Sequence, residues 1–315
     1  MTDSFVSLHS LTPLDLKQLS RQQKRQLLQR HRESHTRNAN VVFLLGTDLL
    51  AGGTSGISEV ELSSIYEQIL IAALDCGRVD TARHYLSLLQ KRFGKQSVRV
   101  RHLEGLCLEA EGATSAAEQL YRGILKDSPT DDFPVKRLSA IFKSDGQLKK
   151  AIEVLEQQLV YTDENEEKHK YLEVHCGDSV PAYRELSNLY YLCEDTQKAL
   201  YYADEAMLFT ANSYLSHTRI AELCYMSGDY NRSLIEYAQS LRLNDHANNS
   251  RAAYGLWVTA NEVVKQAKAA PRRVGGEHSV DEAIELRSWA EKKLLQMYKG
   301  SPMLSAVEAM LQREA

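Results

Sequence analysis

The sequence predicts an all-α solenoid of stacked helix pairs, and three observations carry that expectation. Turn glycines recur at a near-constant interval: Gly112 follows Gly77 by 35 residues and Gly146 follows Gly112 by 34. A small residue stands five positions after each turn, at Ala82, Ala117 and Ala151, where one helix can press close to its neighbour. The 315 residues hold only 6 Pro and 16 Gly, a scarcity of breakers that long helices tolerate better than many short strands.

A unit of about 34 residues, with a small residue in helix A, a turn glycine, then alanine and an aromatic in helix B, is the pattern of tetratricopeptide (TPR) repeats. The first repeat supplies Tyr66, Ile69 and Ala73 at the i, i+3, i+7 spacing of an amphipathic helix. The second is the most literal: Gly105 lets the helices touch, Tyr121 packs, and Lys126, Asp127, Ser128 and Pro129 end helix B. A third turns at Gly146, and Gly228 follows it by 82 residues, which leaves room for a hidden fourth repeat and an insertion. That fourth repeat runs from Val180 to Ala211 with Glu194 at the turn and Ala199 at the small site, and from Glu194 to Gly228 is again 34. The fifth places Ser233 at the small site. Four residues beyond the small sites stand Leu86, Tyr121, Leu155, Ala203 and Tyr237, one turn along the same buried stripe.

The expected architecture is a TPR-type right-handed helical solenoid with an N-terminal helix and C-terminal capping helices. Its parts are an N-terminal helical extension and loop over 1–60, five repeats over 61–246 with an insertion at 162–178, and capping helices over 247–315. In the extension, 14–35 reads as a basic helix, and the basic run is Arg21, Lys24, Arg25, Arg30, Arg32 and Arg37. Such a run is either an RNA or lipid contact or, more commonly, a solvated face. The Gly-rich stretch Ala51 to Gly56 lacks a Gly-Lys-Ser/Thr and reads as a connector, not a phosphate loop. The insertion follows Asp163, Glu164, Glu166 and Glu167 with Lys168, His169 and Lys170. His169, His175 and Cys176 have no recognised ligand spacing, so a metal is not expected. After the array, 251–268 and 279–297 form helices separated by the breaker run 271–276, and 304–312 adds a last short helix. Solenoids need such ends to cover the apolar face of the final repeat.

Composition narrows the function classes. A net charge of −4 argues against a protein built to coat nucleic acid. The longest apolar runs, 41–45 and 69–74, fall short of the roughly 20 residues that cross a bilayer. The N-terminus lacks the pattern of a signal peptide, and five scattered cysteines without a Cys-x-x-Cys read as packed thiols. No nucleophile elbow, zinc-protease motif or nucleotide fingerprint occurs, so neither enzyme nor cofactor is expected. Protein binding remains, and a TPR array would use its concave face, built from A helices. By register the candidates are Arg99, His102, Leu106, Phe133 and Lys136 in repeats two and three. Repeats four and five offer Arg184, Asn188, Tyr191, Thr218 and Tyr225.

Some strings carry a more specific likeness: Ile65-Tyr66-Glu67-Gln68, Ile71-Ala72-Ala73-Leu74-Asp75, Leu120-Tyr121-Arg122, and Ala306-Val307-Glu308-Ala309-Met310-Leu311 outside the repeats. Together they resemble the family of subunit 2 of the endoplasmic reticulum membrane protein complex, from about Ile65 onward. The resemblance implies a soluble, non-catalytic scaffold on the cytosolic face of the endoplasmic reticulum. Such a subunit grips cytosolic parts of membrane subunits and a second soluble subunit in a complex that inserts tail-anchored and multipass proteins. The implied partners are protein subunits, with membrane association through them and no nucleic acid or small-molecule substrate. The alternative is a TPR chaperone adaptor that clamps an acidic C-terminal peptide, for which Arg184, Asn188 and Arg219 are candidates, while Glu67 and Ile71 stand at the equivalent first-repeat places.

Overall fold

The computed structural model describes residues 18–34, 37–158, 160–162, 168–170, 180–269 and 280–313. Fifteen α-helices account for nearly all of them, and the fold is an all-α helical solenoid. The chain divides into two compact units, Met1–Asp145 and Gly146–Ala315.

The first unit contains α1 (Arg21–Glu33), α2 (Ala39–Ala51), α3 (Glu59–Asp75), α4 (Val79–Phe93), α5 (Val98–Ala110), α6 (Thr114–Asp127) and α7 (Asp132–Ser144). Each helix packs on the next in chain order. The core runs from Leu28 through Leu45, Ile69, Ala73, Ala82 and Leu86 to Cys107. Helix α2 was not foreseen within the N-terminal extension, although Val41, Val42, Leu45 and Leu49 form its buried stripe. Gly46 lets it approach α3, because a Cβ there would lie 2.4 Å from Ile69 Cγ1.

Most of the basic run of α1 is tied to neighbouring elements, and only Arg30 has the exposure of the expected solvated face. Lys24 is buried and pairs with Asp48, Arg25 forks onto Glu61, and Arg32 donates to Gln68 at 2.7 Å. Arg21 donates to the carbonyls of Gly52 and Gly53 at 3.0 and 2.6 Å. These charges hold the helix and its Gly-rich connector to α2 and α3.

The second unit contains α8 (Leu148–Gln158), the strands β1 (Val160–Thr162) and β2 (Lys168–Lys170), α9 (Val180–Leu192), α10 (Thr196–Leu208), α11 (Tyr214–Ser227) and α12 (Tyr230–Leu243). After a 3-10 turn at Ala247–Asn249 come α13 (Ser250–Ala269), α14 (Val280–Met297) and α15 (Leu304–Arg313). The insertion begins as an antiparallel ladder that pairs Tyr161 with His169. Its acidic residues Asp163 to Glu167, together with His175 and Cys176, lie outside the described residues, as does the breaker run 271–276.

The core of this unit is continuous from Ala221, Leu234 and Tyr237 through Leu256 and Trp257 to Leu294 and Leu311. Gly255 stands 34 residues after Ala221, and the Tyr237 ring fills the space its missing Cβ leaves, 2.1 Å from the Cβ position. The same fit joins Gly105 to Tyr121. Helix α13 therefore meets the array as another A helix would.

The repeat turns share one geometry. Gly77, Gly112, Gly146 and Gly228 have φ between +69° and +83°. Beyond three of them the next amide donates back five residues: Arg78 to Ala73 at 2.7 Å, Ala113 to Leu108 at 2.9 Å, and Asp229 to Cys224 at 2.9 Å. Glu194 takes the same left-handed conformation, φ +63°, with Asp195 donating to Tyr190 at 3.0 Å. The small sites Ala82, Ala117, Ala151 and Ala199 are fully enclosed, and Gly105 and Tyr121 are buried. Pro129 sits in the exposed turn after α6.

Candidate functional site

The residues expected to bind partners lie on A helices, and the two units treat them differently. In the first unit, α5 carries Arg99, His102 and Leu106, and α7 carries Phe133 and Lys136. Arg99 is exposed and forks onto Glu67 of α3, at 3.0 Å from Nε to Oε1. His102 Nε2 lies 2.7 Å from Asp131, and its ring stacks on Phe133 with centroids 4.3 Å apart. Leu106 packs against the core, while Lys136 pairs with Asp132 one turn back. These side chains mainly join neighbouring helices.

Across helix pairs, arginines meet carboxylates. Arg83 forks onto Glu111 at 2.5 and 2.6 Å, which holds the Glu111 carboxyl below the usual carboxylate range. Arg137 forks onto Glu109, which also accepts from the Tyr121 hydroxyl at 2.6 Å. In the second unit Arg232 clamps Asp204, and Arg251 clamps Glu222 through both nitrogens.

The second unit also contains an open cleft of about 210 Å³ between α9 and α11, floored by Ala203 and Ala206 of α10. Arg184 and Asn188 line one wall; Ser216 and Arg219 line the other. Arg184 donates to Ser216 Oγ at 3.2 Å, and Arg219 donates to Asn188 Oδ1 at 3.2 Å. The Arg219 guanidinium lies over the Tyr191 ring, 4.6 Å from its centroid. The structure thus brings together Arg184, Asn188 and Tyr191 of the expected set and joins Arg219 to them. Ser216 and Leu215 also line this cleft and were missed. Position 216 falls 32 residues after Arg184, a repeat-scale interval that signals a neighbouring A helix.

Thr218 is a correction: it is 4% exposed and its hydroxyl bonds to the Tyr214 carbonyl and to Ser240. Its position on the helix turns it toward α12, so it belongs to the packing and not to an open face. Tyr225 is half-buried with its ring edge-on to Tyr230 at 5.3 Å. Among the described residues no cluster of His, Cys, Asp and Glu could hold a metal ion.

Comparison with known proteins places these features in a family. The model of the EMC2 TPR-like repeat domain matches residues 87–236. ER membrane protein complex subunit 2 of Xenopus tropicalis is 31% identical over 309 residues, covering 95% of this chain and 96% of the frog protein. The chain belongs to the ER membrane protein complex subunit 2 family. The subunit 2 protein of Dictyostelium discoideum is 28% identical over 280 residues, 85% of this chain and 80% of its own length. Among solved structures, the C-terminal part of a TPR repeat-containing protein from Cytophaga hutchinsonii superposes with a TM-score of 0.56 at 14% identity. It covers 91% of this chain and 99% of that chain. That likeness supports the TPR fold of this subunit 2 family member.

Proposed function

We propose that this chain is a non-catalytic scaffold subunit of the ER membrane protein complex, held at the cytosolic face of the endoplasmic reticulum by its partners. There it organises cytosolic parts of membrane subunits and a soluble partner subunit for the insertion of tail-anchored and multipass proteins. The observation that carries this reading is the relationship to the Xenopus tropicalis subunit over nearly the whole of both chains. Among the described residues no helix is long and apolar enough to cross a membrane, which agrees with attachment through partners. The working organisation is an N-terminal support over 1–60, a five-repeat array over 61–246 and a C-terminal layer over 247–315, with partners docking on the A-helix faces. Arg184, Tyr191 and Tyr225 are the leading anchors, because aromatic and arginine side chains dominate the energetics of protein interfaces.

The test is recovery of the tagged chain from membranes solubilised in mild detergent. The wild-type chain is expected to bring down integral membrane proteins in fixed proportion; a chain recovered alone would sink the scaffold reading. A triple variant, Arg184→Ala, Tyr191→Ala and Tyr225→Ala, that melts like wild type should lose part of that set. If the folded variant recovers the full set, the docking face is not the one formed by α9 and α11.

A further inference from the structure

We infer that the outer face of α12 and α14 is a docking groove for a basic amphipathic helix of a protein partner, with Trp289 as its apolar anchor. This face is built from helices in the B position and is distinct from the A-helix faces on which the scaffold reading places its partners.

Helix α14 belongs to the layer that closes the array, and a closing layer is expected to turn a polar stripe outward. Its inner stripe packs as expected, with Ala283, Ala290 and Leu294 fully buried. The outer side departs from the expectation. Trp289 is 45% exposed, although tryptophan is among the side chains that dominate the energetics of protein interfaces, and Leu286 stands half-buried one turn back. These two residues line a hollow of about 510 Å³ on α14. Leu286 also lines a second hollow, of about 590 Å³, whose main wall is α12, where Ile235 is 46% exposed. The two hollows meet at Leu286 and form one shallow groove along two helices. Such a groove suits an amphipathic helix, whose apolar residues at i, i+3, i+4 and i+7 enter it side by side.

The charges around the groove choose the sign of its occupant. Glu282 and Glu285 line it beside Trp289, and Asp281 extends the acidic first turn of α14. Glu285 is exposed and has no ion pair among the described residues. Basic residues of the same helix are used inside the fold: Lys293 donates to Asp245 at 3.2 Å, and Arg287 lies 3.7 Å from Glu291, which accepts from the Trp257 indole at 3.1 Å. On the α12 wall, Glu236 bonds to His217 at 2.7 Å. Arg242 and Lys292 stand toward the C-terminal ends of their helices, so negative charge gathers at the N-terminal part of α14. The complementary ligand carries Lys or Arg at one end of an apolar stripe. Those charges set orientation and association rate, while Trp289 supplies the contact area. An anionic lipid surface is repelled by the same glutamates.

The test uses the purified full chain and three fluorescein-labelled peptides of about 18 residues, or five helical turns, that lack tryptophan. Each has the same leucine stripe, flanked at one end by Lys, Glu or Gln. Fluorescence anisotropy should show the Lys peptide binding about tenfold or more tightly than the Gln peptide and the Glu peptide most weakly, with the differences shrinking as salt rises. The two tryptophans report separately on core and groove, because Trp257 is only 2% exposed. With an unlabelled Lys peptide, tryptophan emission should therefore move to shorter wavelength, and this shift should be absent in Trp289→Phe. Trp289→Ala should weaken binding about tenfold at an unchanged melting temperature, and Glu285→Lys, at an exposed position, should narrow the preference for Lys over Glu about tenfold. No saturable binding of the Lys peptide, equal binding of the Lys and Glu peptides, or a preference that Glu285→Lys leaves intact overturns the inference. An emission shift of the same size with phosphatidylcholine/phosphatidylserine vesicles would assign the groove to a lipid surface, and a dimer in sedimentation that Trp289→Ala dissociates would assign it to a second copy of the chain; either result overturns it as well. All of these measurements stand apart from the recovery of membrane proteins that tests the scaffold reading.

Discussion

Replacing Gly105 by alanine sets two effects of known size against each other. In an open helix the change stabilises by about 1 kcal/mol, because alanine loses less backbone entropy on folding. Here a Cβ would lie 2.4, 2.5 and 2.6 Å from Cε1, Cζ and Oη of Tyr121, where ordinary contact begins at 3.4 Å. The ring must retreat by about 1 Å, and it has nowhere to go. It is 0% exposed, Phe133 stands edge-on to it at 6.3 Å, and its hydroxyl is bound to Glu109, which Arg137 also clamps. Overpacking costs about 1–3 kcal/mol, and loosening a hydrogen bond to a charged group costs about 1.5 more. Overpacking wins, and Gly105→Ala should destabilise by about 2 kcal/mol in urea titrations followed by circular dichroism. Gly123→Ala is the internal control. Its Cβ would meet only the end of the Arg101 side chain, at 3.1 Å, so the same substitution one helix away should be neutral or stabilise by about 0.5 kcal/mol. In a Tyr121→Leu background the cost of Gly105→Ala should largely vanish, since the two changes share one contact. Stabilisation by Gly105→Ala in the wild-type background would refute the close approach of α5 and α6.

Ala117→Leu and Ala151→Leu should each lower the urea midpoint by the equivalent of about 1–3 kcal/mol, because both sites are 0% exposed; unchanged midpoints in both would overturn the repeat register. Glu194→Gly should stabilise by about 0.5–1 kcal/mol, since a left-handed conformation costs a non-glycine residue roughly 1–2 kcal/mol and glycine returns part of that gain as unfolded-state entropy. A lower midpoint would mean the Glu194 side chain matters there. Burial pushes the thiols of Cys107 and Cys224 up to about 11 and about 12, and the Tyr183 phenol up to about 12. A raised folded value means the fold favours the protonated form. This stabilisation is intact below the ordinary thiol and phenol values of about 8.5 and 10 and is lost as pH rises from there toward 12. Urea midpoints should therefore fall steadily above pH 9, and at pH 8 a thiol reagent should leave Cys107 and Cys224 unmodified until urea unfolds the chain. Bonds from Arg25 and Arg83 hold Glu61 and Glu111 below the usual carboxylate range, so their contribution is present above the ordinary value of about 4.3 and disappears as pH falls below it. Midpoints that do not decline between pH 5 and pH 3 would count against these pairs.

The repeat was legible because it rests on positions where one residue type is nearly obligatory. A glycine at a left-handed turn, an alanine at a helix crossing and an aromatic one turn later recur at a fixed interval whatever the rest of the chain does. Gly77, Ala82, Ala117 and Tyr121 show their roles without a third dimension. The strings near Ile65 and Leu311 likewise indicated the family that similarity over 309 residues establishes.

Contacts between helices were a different matter. Nothing in the run of basic residues in α1 says that Asp48, Glu61 and Gln68 stand opposite Lys24, Arg25 and Arg32, since each partner lies 24 to 36 residues away. Helix α2 escaped notice because one short apolar stripe has no repeat to support it, and the ladder of Tyr161 and His169 because three-residue strands have too little periodicity to read. The cleft is the same kind of case. Thr218 and Arg219 are adjacent in sequence, yet one bonds to Ser240 and the other stacks on Tyr191. A step of about 100° around the helix separates packing from open face, and only the neighbouring helices decide on which side each residue falls. Sequence by itself determined the period, the turns and the close crossings, because backbone conformation and side-chain size act locally. Tertiary structure alone decided which charges were neutralised, because a charge is compensated by whatever lies nearest in space.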